Sequence, residues 1–211
     1  MNNQISLRIH SVKCLDETGG RWVERVGNDE IFLSGFGIDA NATTIKVDPF
    51  EVYPHFDDGD IKRYSPPRNF VTLNLTNNSS FPKSCSVGFL LAEKDGGDFG
   101  SKSAVVYEKV KEEMGKKKKE EEEKRRRSGQ LSFSGADLKI VWEVVKPILY
   151  EWIKDKIISV ANDDIFPPRD TSVTIASADF TWEGSRVSPP SAVEFRGHDG
   201  VYLLTYDWEL S

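Results

Sequence analysis

The C-terminal stretch constrains the fold more than any other part of the chain. Tyr202, Leu204, Tyr206, Trp208 and Leu210 alternate with Leu203, Thr205, Asp207 and Glu209, and Val193 and Phe195 stand just before Gly197-His198-Asp199-Gly200. Period-two alternation on both sides of an Asp-Gly turn is the pattern of a tight β-hairpin, with Gly200 expected at positive φ, where it meets no steric cost. One aromatic face and one more polar face call for an antiparallel sheet with a dry side and a wet side. Val201 and Leu203 add apolar surface to the second face, which predicts a central place for strand 201–210.

The same period recurs upstream. Ile5, Leu7 and Ile9 share one phase, and Val12 and Cys14 continue on the other. A phase slip inside one strand is what a β-bulge produces. Glu30 to Phe36 is rich in strand formers, and Val71, Leu73 and Leu75 alternate, as do Cys85, Val87, Phe89 and Leu91. Val173 and Ile175 share a phase, with Phe180 and Trp182 on the other after a break near Ala176. These runs are short and bounded by Gly, Pro, Asn and Asp, as strands are.

The middle of the chain follows a different period. Residues 105–127 contain no proline and only Gly115 as a weak helix former. Lys116–Lys119, Glu120–Glu123 and Lys124-Arg125-Arg126-Arg127 form a ladder in which each Glu precedes a cation by four residues, the favourable order on a helix. With no apolar residue after Met114, this part is expected to project into solvent. A second helix is expected from about Asp137 to Asn162, with Ser134 and Asp137 spaced as a capping pair. Leu138, Val141, Val145, Ile148 or Leu149, Trp152 and Ile157 fall on one face at helical spacing, widened by Val144, Ile153 and Ile158. Pro147 should kink or divide this helix.

The order is therefore strands, a helical stretch, then strands. The chain reads as a single domain over residues 1–211, mainly β: an antiparallel β-sandwich, C2-like or Ig-like in look, carrying a two-helix excursion between strands. The insertion covers 101–165, with 116–127 as its charged tip. The apolar face of the second helix is wider than one sandwich face needs. Val144, Ile148 and Ile153 on its flank are candidate contacts for a protein partner or for self-association.

Composition narrows the chemistry. A net charge of −6 and a pI of about 5.2 argue against a nucleic-acid partner. No apolar run reaches the length of a membrane span. The N-terminal residues lack a secretory pattern, so a cytoplasmic chain is expected, with export by a signal-independent route left open. The sequons at Asn41, Asn74, Asn77 and Asn78 then carry no chemistry. His10, His55 and His198 sit in no catalytic or metal-ligand spacing, and none of the nucleophile-elbow, zincin, phosphate-loop or dinucleotide motifs occurs, so no catalytic residue is assigned and a non-enzyme is expected. Cys14 and Cys85 fall at apolar strand positions and read as small buried hydrophobes. A disulfide between them would need an oxidising compartment.

The loops are rich in carboxylates. Asp16-Glu17 and Asp29-Glu30 bracket one loop, Asp57-Asp58-Gly59-Asp60 forms a second cluster and Asp95-Gly96-Gly97-Asp98 a third. Calcium takes six to eight oxygens, which carboxylates from several loops can supply. Acidic turns also arise because Asp and Gly suit turn backbones. Both readings stay open from the residues alone.

Three segments taken together carry a resemblance: Leu7 to Thr18 followed by Asn28-Asp29-Glu30-Ile-Phe-Leu; Phe89 to Asp98; and Asp164-Ile-Phe-Pro-Pro168 with Gly197 to Trp208. The chain resembles a loosely defined group of bacterial β-sandwich modules, C2-like in general look, found alone or appended to secreted or toxin-like proteins. The resemblance implies that Asp16, Glu17, Asp29, Asp95 and Asp98 line calcium loops. The helical insertion departs from an ordinary C2 domain and leaves binding to a membrane surface undecided. The expected function is a non-enzymatic binding or adaptor module, with calcium as the candidate ligand of its acidic loops. The alternative is a subunit of a larger assembly, or a signal-less exported or toxin-associated component, that meets its partner through the helical insertion.

Overall fold

The computed structural model describes residues 3–18, 29–76, 81–94, 97–128, 135–157 and 163–211, the side chains of 128 and 135–141 excepted. Its strands are β1 (Gln4–Asp16), β2 (Asp29–Ile38), β3 (Thr44–Phe56), β4 (Ile61–Asn74), β5 (Lys83–Glu93), β6 (Asp164–Ile165), β7 (Arg169–Ile175), β8 (Ser191–Gly197) and β9 (Gly200–Leu210). Two helices stand between β5 and β6: α1 (Phe99–Ser128) and α2 (Gly135–Lys156). The chain is thus mainly antiparallel β with a helical insertion, as the periodicities predict.

One sheet has the order β4-β1-β9-β8, and the other β3-β2-β5-β6 with β7 also paired to β5. The last strand is central, bonded to β1 and β8. The phase slip of β1 is a real irregularity: its register against both β4 and β9 shifts between Ile9 and Ser11, which returns Val12 and Cys14 to the inner face. The space between the sheets is filled by Ile5, Leu7, Ile9, Cys14, Leu33, Val87, Phe89, Leu91, Tyr202, Leu204 and Trp208, among others. Cys14 and Cys85 are not joined to each other, both are fully buried, and burial pushes each thiol up to about 12.

β3 and the first half of β4 carry no clean alternation. They are the outer strands of their sheets and contain Pro49, Pro54, Pro66 and Pro67. Proline is admitted at an edge because no ladder bond is lost there, and it blocks pairing with another chain. Across this side of the sandwich Arg68 lies over the Phe50 ring at 3.8 Å, and Lys62 lies 5.9 Å from the rings of both Tyr53 and Tyr64.

The helices lie flat on the outer face of the second sheet. Phe99, Val106, Val110 and Met114 of α1 and Trp142, Val145, Leu149 and Ile153 of α2 form a second core with Phe36, Ile38, Leu90 and Ala92 of the sheet. Every residue of β5 is buried as a result. Phe36 meets Trp142 edge to face at 5.8 Å, and its ring occupies the place a side chain at Gly88 would need. Asp170, at the start of β7, accepts hydrogen bonds from Trp142 Nε1 (3.2 Å) and Tyr150 OH (3.0 Å) and pairs with Lys146 Nζ (2.9 Å). These three donors sit four residues apart on one stripe of α2, so one carboxylate anchors two turns of helix.

Several expectations are corrected. Of a kink or a division at Pro147, division does not occur: α2 is one helix from Gly135 to Lys156, with Val145 and Leu149 buried on either side of the proline. The β8–β9 turn places His198 (φ 53°) and Asp199 (φ 63°), not Gly200, in the left-handed region. Gly200 pairs with Gly197 and is needed for space: a Cβ there would lie 2.8 Å from Thr18 Cγ2. Phe180 and Trp182 belong to no long strand; Trp182 and Ser185 exchange backbone bonds in a tight turn. The capping pair Ser134/Asp137 and the side chains of Leu138, Val141 and Ile158 lie outside the described residues.

Candidate functional site

Antiparallel register decides which loops meet. Asp16 pairs with Val201, Asp29 with Phe56, and Glu93 with both Ile31 and Asp164. The C-terminal ends of β1, β3 and β5, the N-terminal ends of β2 and β4, and the β8–β9 turn therefore share one end of the sandwich. Asp16, Glu17, Asp29, Glu30, Asp57, Asp58, Asp60, Glu93, Asp98, Asp163, Asp164 and Asp199 all stand at or beside that end. Asp16, Asp57, Asp58, Asp98 and Asp199 are exposed.

Within this end the carboxylates divide by what they touch. Asp29 is buried and joins the two sheets: it accepts from Thr18 N (2.8 Å), from Thr18 Oγ1 (2.9 Å) and from the Tyr202 hydroxyl. Burial and the Asp29 charge raise the Tyr202 phenol above its ordinary range. Glu17 and Asp58 clasp each other through the backbone: Glu17 N donates to Asp58 Oδ1 (3.0 Å) and Asp58 N to Glu17 Oε1 (3.2 Å). Burial, a carboxyl–carboxyl hydrogen bond with Asp57 and the nearby Asp29 charge push Glu17 up to about 7. The β3–β4 turn is tied to the same place by Cys14 N donating to Asp60 O (2.9 Å) and Gly59 N to Cys14 O (3.1 Å).

Asp98 lies apart from this clasp. Its Oδ1 accepts from Ser101 N (3.0 Å), a cap on the first turn of α1, and that bonding with Ser101 holds its carboxyl below the usual range. Asp163 accepts from Gly97 N at 2.7 Å, and Asp164 lies 3.1 Å from His198 Nδ1. Asp95 lies outside the described residues. Of the expected calcium set, Glu17 and Asp29 are thus brought together with the Asp57–Asp60 turn, Asp16 stands exposed beside them, and Asp98 serves a helix. Among the described residues no group of three or more His, Cys, Asp or Glu side chains is placed to hold a metal. Among the described residues, Glu17 Oε1, both oxygens of Asp29 and Asp98 Oδ1 accept protein donors.

The flank of α2 is also only partly as expected. Val144 and Ile148 are exposed at 45% and 47%. Ile153 is fully buried against the sheet and is no surface contact. It lies four residues beyond Leu149 and eight beyond Val145, on the inward stripe, whereas Val144 and Ile148 lie one residue behind that stripe. Trp142, the largest fully buried side chain, fills the inward face that Val144 was expected to widen.

The outer face of the first sheet holds a charge group that the sequence did not bring forward. Asp207, on β9, is buried there by Arg8 (Nε to Oδ1 2.9 Å, Nη2 to Oδ2 2.8 Å) and by His10 (Nε2 to Oδ2 2.7 Å), with Glu209 on the other side of Arg8 (2.8 Å). Burial works against charge on Asp207, and the Arg8 and His10 bonds outweigh it and hold the carboxyl below its ordinary range. The period-two pattern carried the signal: Arg8 and His10 share the wet face of β1, opposite the wet face of β9.

No described helix is long and apolar enough to cross a membrane. The chain matches no protein-family model and none of the curated proteins compared with it.

Proposed function

We propose that the protein is a non-catalytic binding module whose carboxylate-rich end takes a cationic segment of a protein partner. The observation that carries this reading is the convergence of acidic loops from both sheets on one end, with Asp16, Asp57, Asp58, Asp98 and Asp199 exposed. A surface of one sign focuses its field outward and speeds the approach of an opposite charge. Leu15 and Ile61 are exposed beside it, at 41% and 36%, and give a cationic segment apolar contacts for its aliphatic stems. A lysine- or arginine-bearing segment suits this end better than a bare calcium ion, which needs a cage of free oxygens.

The test is binding of poly-lysine to the full chain at low ionic strength, read by anisotropy, against the variant Asp16→Asn/Asp58→Asn/Asp199→Asn. Asn keeps an acceptor oxygen for the bond from Glu17 N to Asp58. Loss of poly-lysine binding in the variant supports the reading; equal binding refutes it. A rise in melting temperature in calcium over chelator, at constant ionic strength, would assign the end to a metal instead.

A further inference from the structure

We propose that the basic tip of α1 docks on the carboxylate-rich end of a second copy of this chain, joining copies head to tail. The proposal rests on the reading of that end as a receptor for a cationic segment, and it names the segment.

A basic helix tip stands against an acidic remainder. Residues 116–127 carry a net charge of +4 in a chain whose total is −6, so everything outside the tip amounts to −10. The direction of α1 sets where that charge goes. The helix starts at the carboxylate-rich end, where Asp98 caps it. Tyr107 OH donates to Thr44 O (3.1 Å) at the start of β3, and Lys118 Nζ donates to Asn41 O (2.9 Å) in the β2–β3 turn. Both contacts lie at the opposite end of the sandwich. The helix then continues to Ser128, roughly 15 Å further at about 1.5 Å per residue. Lys117–Glu120, Lys124–Glu121 and Arg127–Glu123 pair within the helix, Arg125 is half-buried and engaged, and Arg126 and Arg127 are exposed.

A rigid helix anchored at the acidic end cannot bring its own far tip back to that end. Opposite charges held at opposite ends of one body can meet only between bodies. Such a contact is heterologous, and it closes a ring or extends a filament according to the angle between copies. The tip has no apolar residue after Met114, so the contact forms and breaks with ionic strength rather than with temperature-dependent burial.

Sedimentation velocity of the full chain tests this. At an ionic strength near 0.01 M, where the screening length is about 30 Å, the average mass should rise with concentration. At about 1 M, where that length is about 3 Å, it should return to the monomer. Lys124→Gln/Arg126→Gln/Arg127→Gln keeps good helix formers and should remain monomeric, as should the Asp16→Asn/Asp58→Asn/Asp199→Asn variant. Mixed together the two should form a one-to-one dimer, because one retains the tip and the other the receiving end. A wild-type chain that is monomeric at low salt overturns the proposal. So does association that persists at high salt or in the tip variant, and so does a failure of the mixed variants to pair when wild type associates. A monomeric chain that still binds poly-lysine through its acidic end sinks the proposal and leaves the binding reading intact. A monomer whose tip binds single-stranded RNA instead also overturns it.

Discussion

Replacing Asp170 by Ala should loosen the helical insertion without dismantling the sandwich. Asp170 receives Trp142 Nε1, Tyr150 OH and Lys146 Nζ, all from α2. Trp142 is fully buried, so its orphaned N–H bears most of the cost of about 1–3 kcal/mol for a buried donor left unmade. Tyr150 is half-buried and loses a hydrogen bond worth roughly 0.5–1.5 kcal/mol. The Lys146 pair, with 32% of the lysine side chain exposed, adds about 0–1 kcal/mol after screening. The expected total is about 1.5–5.5 kcal/mol. Asp170→Asn keeps one acceptor oxygen for Tyr150 but offers Trp142 an N–H in place of an oxygen, so its cost should fall between wild type and Ala. Urea denaturation gives the totals, and hydrogen exchange gives their location: α2 amides should lose protection while β1 and β9 keep theirs. A loss below about 0.5 kcal/mol for the Ala variant would show that the three donors are satisfied by water and that the second core alone holds the insertion.

Trp208→Ala, in the central strand, should cost about 3–5 kcal/mol in chemical denaturation, and a loss under about 1 kcal/mol would contradict its place in the core. Ile153→Lys should cost more than about 4 kcal/mol by burying an unpaired charge, whereas Val144→Lys/Ile148→Lys should stay within about 0.5 kcal/mol per site; similar losses in both would undo the assignment of inward and outward stripes. Glu17 binds its proton more tightly folded than unfolded, so its contribution is fully present below about pH 4.3, the unfolded value, and is lost as pH rises through about 7. Glu17→Gln should remove that decline in a stability–pH profile, and an unchanged profile would contradict it. Asp207 titrates with the opposite sign: held low by Arg8 and His10, it stabilises above its unfolded pKa and loses that as pH falls through the folded one. Asp207→Asn should therefore be weaker than wild type at neutral pH and converge with it in acid.

The elements that were legible in sequence are those where local period and tertiary burial agree. β1, β5 and β9 each have a full inward face, and even the bulge at Ile9/Ser11 was visible as a phase slip. β3 was not, because an edge strand with Pro49 and Pro54 has little alternation to offer. The helices are legible as helices, with Val145 and Leu149 inward and Val144 and Ile148 on the flank; Ile153 is the flank residue that the sheet takes in, and Trp142 is the inward residue that the spacing does not bring forward. Ile153 is as apolar as Val144 and Ile148, and only the sheet decides which of the three it receives. The acidic loops were readable one by one. Their gathering at one end needed the strand order, and the use of Asp29 as a link between sheets needed Tyr202, far away in sequence.

The pairing of β1 with β9 has a consequence for how the protein is made. Ile5 meets Leu210 and Leu7 meets Trp208, so an early strand waits for almost the whole chain before its central neighbour is synthesised. In the second sheet β2, β3 and β5 follow one another closely and can pair first, with β6 and β7 joining β5 after the helices. While the helices are being translated, β1 holds only β4, and the edge that β9 will fill stays open. That is the interval in which a nascent chain is most exposed to wrong pairing, since long-range strands close slowly. Chaperone capture during synthesis should accordingly centre on β1, and moving β9 ahead of β1 by circular permutation should shorten it.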